Sequence, residues 1–250
     1  MKWEYRAAAG SDPGRERKEN QDCFVCNETL GLFAVSDGMG GLAYGKETAQ
    51  EVIRLLETFF SFEKRSGLSR EEITDLMSKM ILAINTQVIE MGNEENRTPL
   101  YGATLTGFLI YENYAVIFNV GDSRVYCLRK EPPMMQLTTD DSLLQSILKA
   151  NVTLSEEEMR NAGSILLEYM GLCPRVEPKV QVVELQEEDV LCACSDGLSG
   201  MLTDQEIEGI LKQNIPVEDK VNQLIQRANE AGGEDNITVL VWQKGKERRE

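Results

Sequence analysis

The sequence predicts an α+β fold in which helices pack on the outside of antiparallel β-sheets. Two observations support this prediction. Strand-like and helix-like segments come in blocks rather than in strict β-α-β alternation, and such blocks are typical of α+β proteins. Several strand-like segments are also joined by short turns, such as Glu112-Asn113 and Gly121-Asp122, and short turns favour hairpins and meanders.

The individual elements follow from apolar runs and helical periodicity. Apolar, β-rich runs predict strands at residues 24–26, 32–36, 103–111, 114–120, 124–128, 180–185, 190–195 and 237–242. Helical patterns cover residues 45–62, 70–91, 139–149, 155–170, 203–213 and 217–231. Two helix starts carry capping boxes, Ser69 with Glu72 and Thr203 with Glu206. The stretch from about 138 to 178 is the least regular, and we expect a flap or insert there, beside a site.

Length and composition indicate a globular protein with a sizeable core. The chain has 250 residues, of which 42% are hydrophobic and 27% are charged, so disorder is not expected. Its formal net charge of −16 would repel nucleic acids and anionic membranes, which we therefore do not expect as partners. The same negative charge is compatible with sites for divalent cations.

The sequence contains no apolar stretch long enough to span a bilayer, and its start has no apolar core of signal-peptide length. We therefore expect a cytoplasmic protein with six reduced cysteines. Cys23 and Cys26 form a C-x-x-C pair that could bind zinc, but the chain has no second such pair and no histidine. Cys192 and Cys194 share one face of a predicted strand, where packing explains them.

A glycine-rich stretch, LFAVSDGMGGLAYGKE, imitates two phosphate-binding motifs. The G-x-G-x-x-A pattern at 38–43 resembles a dinucleotide fingerprint, but the chain lacks the alternating fold that this motif requires. The pattern at 40–46 resembles a Walker A loop, but Glu47 stands where Ser or Thr must bind magnesium. Both interpretations are disfavoured.

Four aspartates stand at the ends of predicted strands: Asp37, Asp122, Asp196 and Asp235. A single Asp-Gly at a strand end is more often a turn or a helix cap than a metal ligand. Four such positions, two of them within near-identical Ser-Asp-Gly phrases, indicate a shared site. Carboxylates brought together repel one another unless cations neutralise them, and hard oxygen ligands select Mg²⁺ or Mn²⁺. The residues themselves therefore predict a metal-dependent, carboxylate-bound site.

Six short motifs follow one another across nearly the whole chain. They are Arg17-x-x-Asn20-Gln21-Asp22, VSDGMGG at 35–41, Gly102-Ala103-Thr104, Gly121-Asp122-Ser123-Arg124, CSDGL at 194–198 and GGEDNITV at 232–239. Each is modest alone, but the ordered set resembles the bacterial type of the metal-dependent protein phosphatase 2C family. The resemblance implies one domain over residues 1–250, built as a four-layer αββα sandwich. It also implies hydrolysis of phosphoserine and phosphothreonine in proteins.

For the metal centre, the resemblance implies two Mn²⁺ or Mg²⁺ ions. Asp37 would bridge them, the carbonyl of Gly38 would complete one site, and Asp196 and Asp235 would hold the other ion. Asp122, with Asp196, is similar to the pair that binds a third, weaker metal in bacterial members. Water activated by the two ions would attack phosphorus without a covalent intermediate.

The resemblance also assigns residues around the ions. Gln21, Asp22 and Asn236 would lie behind the metal ligands. Arg17 would bind the substrate phosphate, for which a planar guanidinium is suited. The expected partners are phosphorylated proteins, the targets of a serine/threonine kinase, and the enzyme is expected to be a monomer.

The chain departs from the family pattern where histidines are expected. Met39 and Leu42 stand at positions where members of the family have histidine, and Asp140-Asp141-Ser142 replaces the family's Asp-His-Ser. With no histidine in the chain, a general-acid histidine is excluded.

These departures leave a second hypothesis open. The segment NAGSILLEYMGL at 161–172 also matches the family's flap poorly. The alternative is a regulatory or phosphoprotein-binding module that keeps the fold with little turnover. The intact set of carboxylates favours the enzyme, because a binding module would not need it.

Overall fold

The structure is a computed structural model that describes residues 5–39, 44–62, 67–94, 102–130, 133–150, 152, 154–172 and 176–245. Gly40 and Leu42 of the glycine-rich stretch lie outside the described residues, as does Cys173.

Ten strands in the described residues form two five-stranded sheets. They are β1 (Tyr5–Asp12), β2 (Cys23–Asn27), β3 (Leu32–Ser36), β4 (Leu105–Tyr111), β5 (Tyr114–Val120), β6 (Arg124–Leu128), β7 (Met135–Gln136), β8 (Lys179–Glu184), β9 (Val190–Cys194) and β10 (Ile237–Lys244). One sheet has the order β1-β10-β9-β6-β7 and the other β2-β3-β4-β5-β8. All neighbouring strands run antiparallel.

Seven helices in the described part of the chain complete the architecture. They are α1 (Gly45–Phe62), α2 (Arg70–Glu94), α3 (Leu143–Lys149), α4 (Glu156–Gly163), α5 (Asp196–Ser199), α6 (Asp204–Leu211) and α7 (Val217–Glu230). α1 and α2 pack on the sheet that contains β3, whereas α7 packs on β1 and β10. The layers are helix, sheet, sheet and helix, so the predicted α+β sandwich is confirmed. Among the described helices, none is both long and apolar enough to cross a bilayer.

Three clusters of buried apolar side chains hold the layers together. The cluster between the sheets contains Phe33 and Phe108, whose rings stack with centroids 5.2 Å apart, and Trp242. A second lies under α1 and α2, and a third under α6 and α7. β3 and β9 are buried along their whole lengths because a sheet covers one face and helices cover the other. This double burial explains why both strands appear in the sequence as continuous apolar runs.

The strand order brings the predicted site residues to one end of the sandwich. β9 ends beside the start of β10, and β6 begins beside that same end of β9. The residues that follow β5 and β9, and those that precede β10, therefore share one edge. The end of β3 reaches this edge from the other sheet. Its position there is shown by the Asp37 carboxylate, which interacts with the carboxylates of Asp122 and Asp196.

Two strands that the sequence analysis does not predict, β1 and β7, form through pairing with their neighbours. β1 has the sequence YRAAAGSD, which lacks a run of large apolar residues, and its residues are mostly half-buried. It forms a strand because it pairs with β10 along its whole length. β7 has only two residues and pairs with β6. Both predicted capping boxes are confirmed.

Two predicted helices lie in the insert, the segment from about 138 to 178. Both are too long: 139–149 and 155–170. α3 begins only at Leu143, because the two aspartates before Ser142 form ion pairs with other segments and Ser142 caps the helix. α4 ends at Gly163. Beyond it, Leu167 and Met170 donate backbone hydrogen bonds to distant segments instead of continuing a helix.

Truncation of Phe108 should strongly destabilise the fold. Phe108 is fully buried between the sheets, and Phe108→Ala should lower the free energy of unfolding by about 3–5 kcal/mol, through lost burial and a cavity. Leu82, a residue that is 39% exposed, is the control, and Leu82→Ala should change stability by about 0.5 kcal/mol or less. Urea unfolding measures both; equal losses would contradict this description of the core.

Candidate metal centre

Asp37 follows β3 and is fixed by Thr104 at the start of the neighbouring strand. The Asp37 N–H donates to Thr104 Oγ1 at 2.9 Å, and the Thr104 N–H donates to the Asp37 carbonyl at 2.8 Å. Ser36 Oγ donates to the Thr104 carbonyl at 2.6 Å. These three bonds give the Asp37 backbone a defined orientation at the end of the sheet.

Gly38 cannot be replaced by a larger residue without displacing backbone. A Cβ atom there would lie 2.3 Å from the Gly45 carbonyl oxygen and 2.7 Å from the Gln21 carbonyl oxygen. The Gly38 N–H donates to that Gln21 oxygen at 3.2 Å. Next to it, the Met39 N–H donates to the Gly102 carbonyl at 3.1 Å. Close backbone approach, rather than a phosphate-binding loop, therefore explains Gly38.

Asp196 is the first residue of α5, directly after β9 and Ser195. The next residue, Gly197, lies so close to Asn236 that a Cβ atom would be 2.1 Å from the Asn236 carbonyl oxygen. The Ser195 N–H donates to the Thr238 carbonyl at 3.1 Å. Glycine at 197 therefore allows the turn that carries Asp196 to pack directly on the segment that carries Asp235.

Asp235 forms an ion pair with Arg17. Arg17 Nη2 donates to Asp235 Oδ2 at 2.8 Å, and the Asn236 N–H donates to Asp235 Oδ1 at 2.8 Å. The side chains of Arg17 and Asp235 are 45% and 35% exposed, respectively. The structure thus joins the arginine expected to bind phosphate to a carboxylate expected to bind metal, at the surface of the site.

Asn236 anchors the loop that carries Arg17. Its Oδ1 accepts from the Gln21 N–H at 2.8 Å, and its Nδ2 donates to the carbonyls of Pro13 and Glu19, each at 2.9 Å. One side-chain amide therefore holds both ends of the 13–21 loop. Gln21 contributes its backbone N–H and carbonyl to the contacts at this site.

Asp22 lies behind the other carboxylates in a hydroxyl network. Its Oδ2 accepts from Ser195 Oγ at 2.8 Å and from Thr238 Oγ1 at 2.6 Å. Burial raises the pKa of Asp22 to about 7, the Asp196 charge also raises it, and the two hydroxyl donors oppose these effects. Asp22 therefore orients Ser195, which precedes Asp196.

Asp122 follows Gly121, whose φ is +112°. A Cβ atom on Gly121 would lie 2.7 Å from Thr104 Cγ2, so this turn requires glycine both by conformation and by space. The pKa of Asp122 is raised to about 8, mainly by burial and then by the charges of Asp196 and Asp140. The electrostatic interaction with Asp196 places Asp122 at the same centre.

The carboxylates destabilise one another's charged forms. Burial raises the pKa of Asp37 well above its usual value, and the charges of Asp22, Asp196 and Asp122 add to the rise. Burial also raises the pKa of Asp196, with the Asp235 charge as the next cause. These carboxylates have raised pKa values and lie close together at the cleft floor. Bound cations would stabilise their charged forms.

The donor set fits hard divalent cations, although it is not arranged as a complete ligand set. Among the described residues, no group of three or more acidic, cysteine or histidine side chains has a geometry that could hold a metal ion. Both oxygens of Asp235 accept hydrogen bonds, from Arg17 and from the Asn236 N–H. No described group donates a hydrogen bond to the buried Oδ1 atoms of Asp22 and Asp196. Unsatisfied carboxylate oxygens with like-charged neighbours fit Mg²⁺ or Mn²⁺.

A cleft of about 650 Å³ opens above this cluster. Asp122, Asp196 and Asp235 line it together with Arg17, and Leu144, Gly163 and Ser164 of the insert form part of its wall. A second cavity, of about 520 Å³, is lined by Tyr5, Arg6, Ile215, Pro216, Val217, Gln243 and Gly245. None of the described residues that line this second cavity is acidic, so they offer no carboxylate ligand for a divalent cation.

Arg124 and Asp140 also line the cleft, although the sequence analysis assigns neither of them to the site. Arg124 Nε and Nη2 donate to the Asp140 carboxylate at 3.0 and 2.7 Å, in a bidentate pair. Asp140 also accepts from Gln136 Nε2 at 2.9 Å. Arg124 ends the motif Gly121-Asp122-Ser123-Arg124, so its proximity to Asp122 can be predicted from the sequence. Its pairing with Asp140 cannot be predicted in this way, because that pairing depends on the path of the insert.

The sequence is similar over most of its length to proteins of known family. A family model described as protein phosphatase 2C matches residues 10–240. The chain is 35% identical over 238 residues to the serine/threonine phosphatase stp of Listeria innocua serovar 6a, covering 94% of each chain. It is 30% identical over 244 residues to the protein phosphatase PhpP of Streptococcus pneumoniae, covering 96% of this chain and 98% of PhpP.

Solved structures show the same similarity. The S. agalactiae serine/threonine phosphatase superposes with a TM-score of 0.86 at 32% identity, covering 96% of this chain and 99% of that one. The catalytic domain of the serine/threonine protein phosphatase PstP, in complex with two manganese ions, superposes with a TM-score of 0.84 at 30% identity. That match covers 97% of this chain and 99% of the PstP chain.

Binding of Mn²⁺ should stabilise the folded protein through Asp37. With Mn²⁺ at roughly 100 times its Kd, the melting temperature should rise by about 5–10 °C relative to excess EDTA. Asp37→Asn should lose most of this rise, yet be at least as stable as the wild type in EDTA because one repelling charge is gone. Asp75→Asn, on an exposed helix ion pair, is the control. Differential scanning calorimetry measures these melting temperatures. A full Mn²⁺-induced rise in the Asp37→Asn variant would contradict the assignment of Asp37 to the metal site.

Proposed function

Because the chain belongs to the protein phosphatase 2C family and is a serine/threonine phosphatase, we propose that the carboxylate cluster at the cleft floor is its metal-dependent catalytic centre. The observation that carries this proposal is that Asp122, Asp196 and Asp235 line one cleft, while Asp37, at the end of a strand of the other sheet from β9 and β10, interacts with the charges of Asp122 and Asp196. An arginine stands at the same opening. The relatives favour this enzyme over a binding module with little turnover.

We propose that Asp37, the carbonyl of Gly38, Asp196 and Asp235 hold two cations, and that Asp122 with Asp196 holds a third more weakly. Mn²⁺ or Mg²⁺ suits these oxygen ligands. When bound, such ions activate water as the nucleophile and stabilise charge on the phosphoryl group. A manganese-bound relative of the same fold supports this choice of ion.

The backbone around the cluster determines the direction of each carboxylate. Thr104 fixes the Asp37 backbone, and the Asp22 hydroxyl network fixes Ser195 before Asp196. Neither bond uses a carboxylate oxygen of Asp37 or Asp196, so both bonds can persist when these carboxylates bind cations. Preorganisation of charged groups of this kind is a large contribution to catalysis.

We propose that Arg17 binds the phosphate of the substrate. In the structure its guanidinium pairs with Asp235, but this pair is nearly half exposed. An ion pair with that exposure contributes little to stability, so exchange for a phosphate has a low cost. The planar guanidinium can then donate to two phosphate oxygens. Asn236 keeps the Arg17 loop close enough for this exchange.

The cleft also limits the chemistry that the chain can perform. No imidazole can protonate the leaving serine or threonine oxygen, because the sequence contains no histidine. Ser142 and Ser164 and the apolar Leu144 line the wall beside the acidic cluster, where a substrate peptide chain can make polar and apolar contacts. The proposed substrates are phosphorylated proteins, as the family implies. The cytoplasmic location, the monomeric state and the opposing kinase remain predictions from the sequence.

Loss of either central carboxylate should abolish metal-dependent turnover. Asp37→Ala and Asp196→Ala should each lower kcat/KM for p-nitrophenyl phosphate and phosphothreonine peptides by about 1,000-fold or more, since several kcal/mol of charge stabilisation is lost. Asp75→Ala is the matched acidic control and should keep wild-type turnover. Robust hydrolysis in excess EDTA, or full activity in both active-site variants, would refute the metal mechanism.

Removal of the Arg17 guanidinium should weaken substrate binding more than chemistry. Arg17→Ala should raise KM about tenfold while kcat falls by less, as loss of a contact made equally in ground and transition states does. Arg17→Lys should recover only part of the affinity, because lysine cannot donate in a bidentate manner. Steady-state kinetics on a phosphothreonine peptide separates the two constants. A collapsed kcat with unchanged KM would contradict the assigned role.

A further inference from the structure

Asp141 makes a set of contacts beside the metal centre that the proposed mechanism does not use. It stands where the resembled family has the histidine of Asp-His-Ser, and only 9% of it is exposed. The Gly121 N–H donates to Asp141 Oδ2 at 3.0 Å, and the Asp141 N–H donates to the Gly121 carbonyl at 2.9 Å. Asp141 Oδ1 forms an ion pair with Lys179 of β8. One buried carboxylate therefore joins the turn after β5, which precedes Asp122, to β8, the edge strand that pairs with β5.

The contacts of Gly121 leave its turn little freedom. Both its N–H and its carbonyl are bonded to Asp141, and Asn119 Nδ2 also donates to the Gly121 carbonyl at 3.0 Å. On its other side the Cα packs against Thr104, which also fixes the Asp37 backbone. Since Asp122 is the next residue, these contacts determine where its carboxylate points.

Lys179 makes a buried charge at position 141 tolerable. Its Nζ donates to the Thr139 carbonyl at 2.8 Å as well as to Asp141. A buried carboxylate without a cationic partner is costly, and here it would add another negative charge to the acidic cluster. The Asp141 carbonyl also accepts from the Leu167 N–H at 2.7 Å, so the same residue holds the insert that forms the cleft wall.

From these contacts we propose that Asp141, neutralised by Lys179, is a positioning residue that orients Asp122 toward Asp196. The inference rests on the proposed role of Asp122 in cation binding. Asp141 itself touches neither substrate nor cation in this account. Its effect is exerted through the Gly121 peptide, which its carboxylate holds in place.

Calorimetric Mn²⁺ titration of purified variants tests this proposal independently of turnover. Asp141→Ala removes the acceptor of the Gly121 N–H and should weaken the lowest-affinity Mn²⁺ step about tenfold, with kcat lowered and KM for a phosphothreonine peptide unchanged. Asp141→Asn keeps an oxygen for that N–H and should recover most of the affinity. Asp75→Ala is the control for loss of an exposed, ion-paired aspartate.

A double-mutant cycle shows whether Asp141 acts through Asp122. Asp122→Asn should weaken the same Mn²⁺ step, and adding Asp141→Ala to it should produce no further loss, because residues acting as one unit are not additive. If the two losses multiply, or if Asp141→Ala titrates like the wild type while Asp122→Asn does not, the positioning role is wrong. If Asp122→Asn leaves every Mn²⁺ step unchanged, the metal role of Asp122 is wrong and the positioning role is refuted with it.

Lys179 provides a second variant if Asp141→Ala does not fold. Lys179→Met removes the ion pair but leaves the carboxylate, and it should weaken the same Mn²⁺ step about threefold. Lys179→Arg keeps a cation near Asp141 and should match the wild type. An unchanged titration for Lys179→Met would overturn the part assigned to the ion pair, and thermal melting establishes that each variant is folded.

Discussion

Repulsion among carboxylates gathered at one end of the sandwich is the constraint on which the rest of this structure depends. Burial is the main cause of the raised pKa values of Asp22, Asp37, Asp122 and Asp196, and the charge of at least one neighbouring aspartate adds to the rise in each case. A flexible framework would relieve such repulsion by moving the side chains apart. The framework here resists that movement, so protons or bound cations must offset the charge.

The resistance comes from backbone contacts between segments that are distant in sequence. Gly38 and Gly197 each lie against a carbonyl oxygen of another segment, at distances that no Cβ atom could occupy. Thr104 contacts both Asp37 and Gly121, so the end of β3 and the turn after β5 share one support. Asn236 holds the Arg17 loop in place through a hydrogen bond to Gln21. Asp22 holds the start of α5 through a hydrogen bond to Ser195. The glycines and hydroxyls of the motifs therefore serve the aspartates between them.

Much of this centre could be predicted from the sequence, because its main residues stand at the ends of fully buried strands. Asp37 and Asp196 each end an apolar run, and such runs are among the clearest strand signals. β1 could not be predicted in this way, since it carries small, half-buried side chains and depends on pairing with β10. The Arg124–Asp140 and Lys179–Asp141 pairs also could not, because each joins residues brought together only by the folded insert. Local periodicity likewise extended α4 past Gly163, where tertiary hydrogen bonds end the helix.

Anomalous scattering from Mn²⁺ in crystals of the wild-type protein would locate the cations relative to the four aspartates. The account predicts two strong anomalous peaks at the floor of the cleft, both contacting the Asp37 carboxylate, with Asp196 and Asp235 on one of them. It also predicts that Arg17 releases Asp235 Oδ2 in those crystals. A protein that hydrolyses phosphothreonine peptides in Mn²⁺, yet shows no anomalous peak at Asp37, would contradict the account.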